Sequence, residues 1–343
     1  KNTEKTGWKF KLLLGLIIFL GFFFRIYGLN KTNGLWLDEV FSHYVAKESF
    51  PFGILNITFN EDTHMPLYYF FLHFWMKFFG DGDLGLRFLS VIFGTLTIPT
   101  IYKAGKELIS KYVGLVAALL VSFNGLLIYY SQEVRMYSLI GFISSIILYL
   151  LAKSFKNPTW PNLLGLTLAN IALISSYTIG FIFVFAEIFL AGIYIFYRHR
   201  ASFKKFIISQ SITFLVFLMF IFVVKTNLYN LFLAVSDESR NLTNQPLRFS
   251  SILFFLQSIF SPFIRSIYKP DENYLKFVLD NINHPLFLFY TIIPVLIGIG
   301  TVIKGALEKK DNLVIAGFTG IFFCSLLLAA FAEKMAFFHD MAL

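Results

Sequence analysis

The sequence predicts an all-α, polytopic bundle of membrane helices, on the strength of three observations. Hydrophobic residues fill 57% of the 343 positions and charged ones only 14%, against roughly 25% charged in globular domains. Mean hydropathy is +0.70 over the whole length, which leaves too few polar groups to clothe a water-facing surface. Apolar runs close to the about 20 residues that cross a hydrocarbon core recur from end to end. The same figures exclude a disordered chain, a collagen-like fibre and a disulfide-stapled secreted domain. Cys324 is the single cysteine, so no intrachain disulfide forms. The formal charge of +9 would suggest nucleic acid for a soluble domain. Here lysine and arginine gather in short loops for topological reasons, and nucleic acid is not an expected partner.

The first apolar run, 10–29, follows Lys1, Lys5, Lys9 and Lys11. It is too long for a signal peptide and lacks a small-residue cleavage site, which makes it an uncleaved span with a cytoplasmic N-terminus. Further runs lie at 84–103, 112–130, 138–152, 163–179, 180–197, 206–224, 286–303 and 313–331. Between the first two sits Met65–Phe79, apolar but short, with His73 and Lys77 inside it. A spanning helix there would put Lys103, Lys106, Lys111, Arg198, Arg200, Lys204 and Lys205 outside. A helix lying in the outer interface puts all of them inside, as the positive-inside rule demands, and its aromatic content suits that place. The expected organisation is a transmembrane module over 1–331 with about nine spans. Its outer loops are 30–83, 131–137 and 225–285, and 332–343 is a last outer segment. The cytoplasmic loops are too short to fold a nucleotide-binding domain, and no GxGxxG or P-loop occurs.

Chemistry-bearing residues collect in the outer loops. In GLWLDEVFSHY, Asp38 and Glu39 are adjacent and His43 follows Glu39 by one helical turn, so Glu39 and His43 share a face while Asp38 points about 100° away. Such a cluster can hold a divalent cation or supply a general base; it can equally be a solvated acidic pair opening a helix. EDTHMPLYYF places Glu61, Asp62 and His64 ahead of the interfacial helix, with Pro66 suited to its first turn. Arg87, at the outer mouth of the second span, either snorkels to lipid headgroups or offers a fixed cation to a phosphate. YYSQEVRMYS brings Glu133 and Arg135 into a loop pressed against the bilayer. Glu187 lies mid-span in the sixth run, where a carboxylate faces the bundle interior or water, and the spacing supplies no partner for it.

Taken in order, the basic first span, LWLDE, HMPLYYFFLHFWMKFFGDGDLGLRFLSVIFGTL, a basic turn and SQEVRMY resemble the bacterial GT-C glycosyltransferases over about residues 8–155. The likeness is to the dolichyl-phosphate-mannose protein mannosyltransferase-like family, related to the lipid A aminoarabinose transferases. It implies a GT-C type bundle in a bacterial inner membrane that transfers a sugar from a polyprenyl-phosphate donor, on the outer face, to a protein, lipid or glycan acceptor. It also implies Asp38 as the family's acidic residue and candidate base, with Glu39 its neighbour. His64, Arg87, Arg135 and Tyr137 are then substrate-binding, and Asp38, Glu39 and Glu133 a metal set if a divalent cation takes part. Where the aminoarabinose transferases carry a lysine this chain has His64, which leaves its contact with the carrier phosphate open. Relatives continue with further spans beyond FFHDMAL, so the expectation is a missing C-terminal part or an unusually short member. The competing reading is a transporter or flippase of a lipid-linked saccharide; such proteins show inverted repeats and charges near the midplane, whereas here the acidic residues cluster outside.

Overall fold

The computed structural model describes residues 2–30, 34–60, 65–177 and 180–223. The spans expected at 286–303 and 313–331, the loop 225–285 and the segment 332–343 lie outside the described residues. The described residues, 124–126 excepted, gather into one compact unit. Among the described residues every regular element is a helix.

Helix α1 (Asn2–Ile26) covers most of the first apolar run. The outer loop 30–83 is itself helical, forming α2 (Leu37–Lys47), α3 (Phe52–Asn60) and α4 (Leu67–Phe79). In α2, Asp38 and Glu39 sit in the first turn, where the unpaired backbone N–H groups favour negative charge. Glu39 turns back to accept the Trp36 N–H at 3.2 Å, one half of a capping box. Pro66 precedes α4, and Gly80 ends it at φ 77°, a left-handed cap that a side chain would strain. With 13 residues, α4 is about 20 Å long at 1.5 Å per residue, shorter than the about 30 Å hydrocarbon core. One face of α4 buries Tyr68, Tyr69, Leu72 and His73 while Phe71, Phe74, Phe78 and Phe79 remain exposed.

Helix α5 (Asp83–Leu108) is the hub, packing on α1, α4, α6 (Lys111–Phe123) and α8 (Tyr137–Lys156). The run expected as one span over 112–130 divides into α6 and α7 (Gly125–Tyr130). Asn-Gly at the junction is a poor helix former, and the α6 carbonyls of Val121 and Ser122 accept the Arg25 guanidinium at 3.2 and 3.4 Å in place of the next turn. Three further helices follow: α9 (Trp160–Ile174), α10 (Gly180–Arg198) and α11 (Arg200–Val223). α5, α8 and α11 are each long and apolar enough to cross a membrane.

Backbones touch between α5 and α6. A Cβ on Gly105 would lie 2.8 Å from the Gly114 Cα, and one on Gly114 would lie 2.5 Å from the Tyr102 carbonyl oxygen. Neither neighbour is a flexible side-chain tip, so the helices have to part to admit a side chain. Gly114→Leu is therefore expected to lower stability by about 1–3 kcal/mol or more, as overpacking does. A reduced unfolding temperature in detergent checks it; an unchanged one removes the contact from the fold's support.

Candidate functional site

Three pieces of chain converge here: the first turn of α2, the head of α5, and the connection 131–136 between α7 and α8. Their junction is a buried ion pair. Glu39 is fully buried and Arg87 is 3% exposed. Arg87 Nε donates to Glu39 Oε1 at 2.9 Å and Nη2 to Oε2 at 2.6 Å, the two-pronged geometry that a guanidinium favours with a carboxylate. The same carboxylate accepts the Val134 N–H on Oε1 at 2.9 Å and the Trp36 N–H on Oε2 at 3.2 Å. Four donors fill about four lone-pair sites. Two more of the Arg87 N–H groups go to the carbonyls of Leu29, at 3.2 Å, and Gly34, at 2.9 Å. Arg87 is thus buried and paired with Glu39, which does not describe a side chain snorkelling to lipid headgroups.

Asp38 has the opposite fate. One residue earlier on α2, it projects from the packed face with its side chain 20% exposed, and its Oδ2 lies 3.8 Å from Arg135 Nη2. Arg135 is itself buried with its guanidinium 5.9 Å from the Tyr137 ring centre. Its carbonyl accepts the Ser90 hydroxyl at 3.4 Å, and Ser90 Oγ in turn lies 3.1 Å from the Tyr68 hydroxyl. Burial holds the Tyr68 phenol above its ordinary value, so it stays a neutral hydroxyl. Glu133 is buried in the same connection, close enough for its charge to act on Tyr68 and Arg87.

The connection that carries Glu133 and Arg135 is anchored by Gln132, whose amide donates to the carbonyls of Phe24, Arg25 and Tyr27 at 3.2, 3.1 and 2.9 Å. These are carbonyls at the end of α1 that lack helical partners. Gly94 of α5 leaves room for the arrangement, since a Cβ there would lie 2.0 Å from Ser131 Oγ and 3.0 Å from Arg25 Nε. A second tie fastens α2 at its far end: Lys47 Nζ is 2.9 Å and His43 Nε2 3.6 Å from Asp81 Oδ2. The hydrogen bond and charge of Lys47 keep the Asp81 carboxyl below the usual range. His43 thus faces Asp81 rather than joining Asp38 and Glu39 in one cation-binding group.

Asp38, Glu39, Glu133, Arg87, Arg135 and Tyr137 lie at this junction. His64 lies outside the described residues. The metal set needs correction: with every lone pair of Glu39 engaged, Asp38, Glu39 and Glu133 do not fit a divalent cation. Among the described residues no group of three His, Cys, Asp or Glu side chains comes together to hold one. Gln132, Ser90 and Arg25 escaped notice in the sequence. Arg25, an arginine in the last turn of an apolar run, carried a usable signal, because such a charge needs buried partners; Ser90 carried none.

Residues 63–229 match the family described as dolichyl-phosphate-mannose-protein mannosyltransferase. No curated protein matches the chain. Among solved structures, the S. cerevisiae protein O-mannosyltransferase Pmt1-Pmt2 complex bound to the sugar donor superposes with a TM-score of 0.50 at 18% identity. That alignment covers 64% of this chain and 34% of the yeast chain, so the present chain spans about a third of that relative. The helical layout is shared at this level. The matched segment, just under half of the chain, is thus similar to the mannosyltransferase family, and the helical fold is shared with the yeast structure at this level.

Proposed function

We propose that this chain is the transmembrane catalytic module of an inverting glycosyltransferase that moves a sugar from a polyprenyl-phosphate carrier to an acceptor on the outer face of a bacterial inner membrane. Its N-terminus is cytoplasmic, and about nine spans carry the basic loops inside. The observation that carries the reading is Asp38: half-buried, and next to Arg135, while its neighbour Glu39 is consumed by packing.

Nucleotide sugars are made in the cytoplasm, so an outward-facing transferase needs a donor delivered through lipid. The acceptor hydroxyl oxygen bonds to the anomeric carbon, its proton passes to the Asp38 carboxylate, and the bond from that carbon to the carrier phosphate breaks. Negative charge grows on the departing phosphate, where fixed cations contribute most. Arg135, with Tyr137 beside it, is assigned to that phosphate, and His64 to the same substrate. Glu39 and Arg87 position Asp38 rather than touch substrate.

Incubation of membranes with a panel of polyprenyl-phosphate sugars is expected to release free polyprenyl phosphate with at least one sugar. Carrier that moves between leaflets without being cleaved, for every sugar tried, replaces the transferase with the flippase reading.

A further inference from the structure

Glu187, for which the sequence offered no partner, belongs to a buried polar network that joins α9, α10 and α11 away from the site above. Its carboxylate is 4% exposed and Asn170 is fully buried. Asn170 Nδ2 donates to Glu187 Oε2 at 2.9 Å and to Gln210 Oε1 at 3.3 Å. Gln210 Nε2 donates to Thr167 Oγ1 at 3.1 Å and to Ser209 Oγ at 3.3 Å. Thr167 and Ser209 send their own hydroxyl protons to backbone carbonyls, and Thr213 sends its proton to Gln210 Oε1.

Every donor of the network is therefore used, and two buried acceptors are left over: Glu187 Oε1 and Asn170 Oδ1. An ionised carboxylate in an apolar bundle also lacks a counter-charge here. The charged groups of the packed helices are Lys153 and Lys156 on α8, Arg198 on α10, and Arg200, Lys204 and Lys205 on α11; α9 has none. All stand at helix ends, and the nearest on its own helix, Arg198, is about 16 Å along the axis from Glu187 at 1.5 Å per residue. The other titratable side chains of these elements are Tyr137, Tyr149, Tyr194 and Tyr197, with His199 between α10 and α11. Burying an unpaired charge is prohibitive, and such groups neutralise instead.

A metal cation would neutralise the carboxylate but wants more oxygens than the two left over. One proton answers both deficits, since it removes the charge and turns Oε1 from a surplus acceptor into the missing donor. We infer that Glu187 is a proton-binding site, held as a neutral carboxylic acid whose Oε1–H donates to Asn170 Oδ1 and so closes the junction of three helices. The junction then depends on pH in a way that an amide at the same position does not.

Glutamine is the isostere of the neutral acid, and its NH2 supplies the same donor without titrating. In the full-length chain in detergent, E187Q is expected to unfold at the wild-type temperature at neutral pH. Raising the pH lowers that of the wild type, because the proton that closes the junction is lost, and leaves E187Q ahead. Glu187→Ala, which strands Asn170, unfolds earlier at every pH. Infrared spectra at neutral pH show a protonated-carboxyl carbonyl band that E187Q lacks. Absence of that band, or an E187Q variant as destabilised as Glu187→Ala, overturns the assignment.

Discussion

Asp38→Asn is expected to lower sugar transfer about 10²–10⁴-fold, the usual contribution of a positioned general base, with insertion and unfolding temperature unchanged. Asparagine keeps the shape of the side chain but is too weakly basic to take the acceptor proton. Asp38 is spared the packing duties of Glu39, its one ion-pair contact among the described residues being the 3.8 Å approach to Arg135. Its loss therefore leaves the α2–α5 junction whole. Carrier-phosphate release in membranes, measured beside the amount of folded protein, reads the two effects separately. Transfer at the wild-type rate removes Asp38 as base, and loss of folded protein makes it a structural residue instead.

Arg87→Ala is expected to act in the reverse sense, on stability before activity. It strands a fully buried Glu39 carboxylate and deprives the Leu29 and Gly34 carbonyls of their donor. Breaking a buried pair by removing one partner costs about 3–5 kcal/mol, whereas replacing both partners is often near neutral. Arg87→Met combined with Glu39→Gln should accordingly recover part of the folded yield that Arg87→Ala loses. Thermal unfolding of the single and double variants decides. Were Arg87→Ala to unfold like the wild type and lose only affinity for polyprenyl phosphate, Arg87 would be the phosphate cation that its place at a span mouth suggested.

The contrast between these two variants marks where the sequence stops being legible. Apolar runs and basic turns outline α1, α5, α8, α9, α10 and α11, because a helix that crosses lipid must be apolar over its whole length. Helical spacing also shows that Asp38 and Glu39 point apart. It does not show which of the two faces the protein. That depends on Arg87, 48 positions downstream, and on a backbone N–H at Val134, which no residue pattern announces. Glu187 and Asn170, 17 apart on different helices, were hidden for the same reason, as partners meet through tertiary packing rather than local period. The division of the run 112–130 does not show in hydropathy, because the two residues Asn124-Gly125 are too few to interrupt an apolar stretch of that length.

The amide of Gln132 has a further consequence for how the chain is built. The first helix is synthesised and threaded into lipid early, yet the group that satisfies its terminal carbonyls belongs to a residue 108 positions after Phe24. Until that residue has been synthesised, the C-terminal carbonyls of α1 must borrow other donors such as water. Shortening the chain to end before Gln132, in the connection between α7 and α8, is accordingly expected to leave these carbonyls without their side-chain donor.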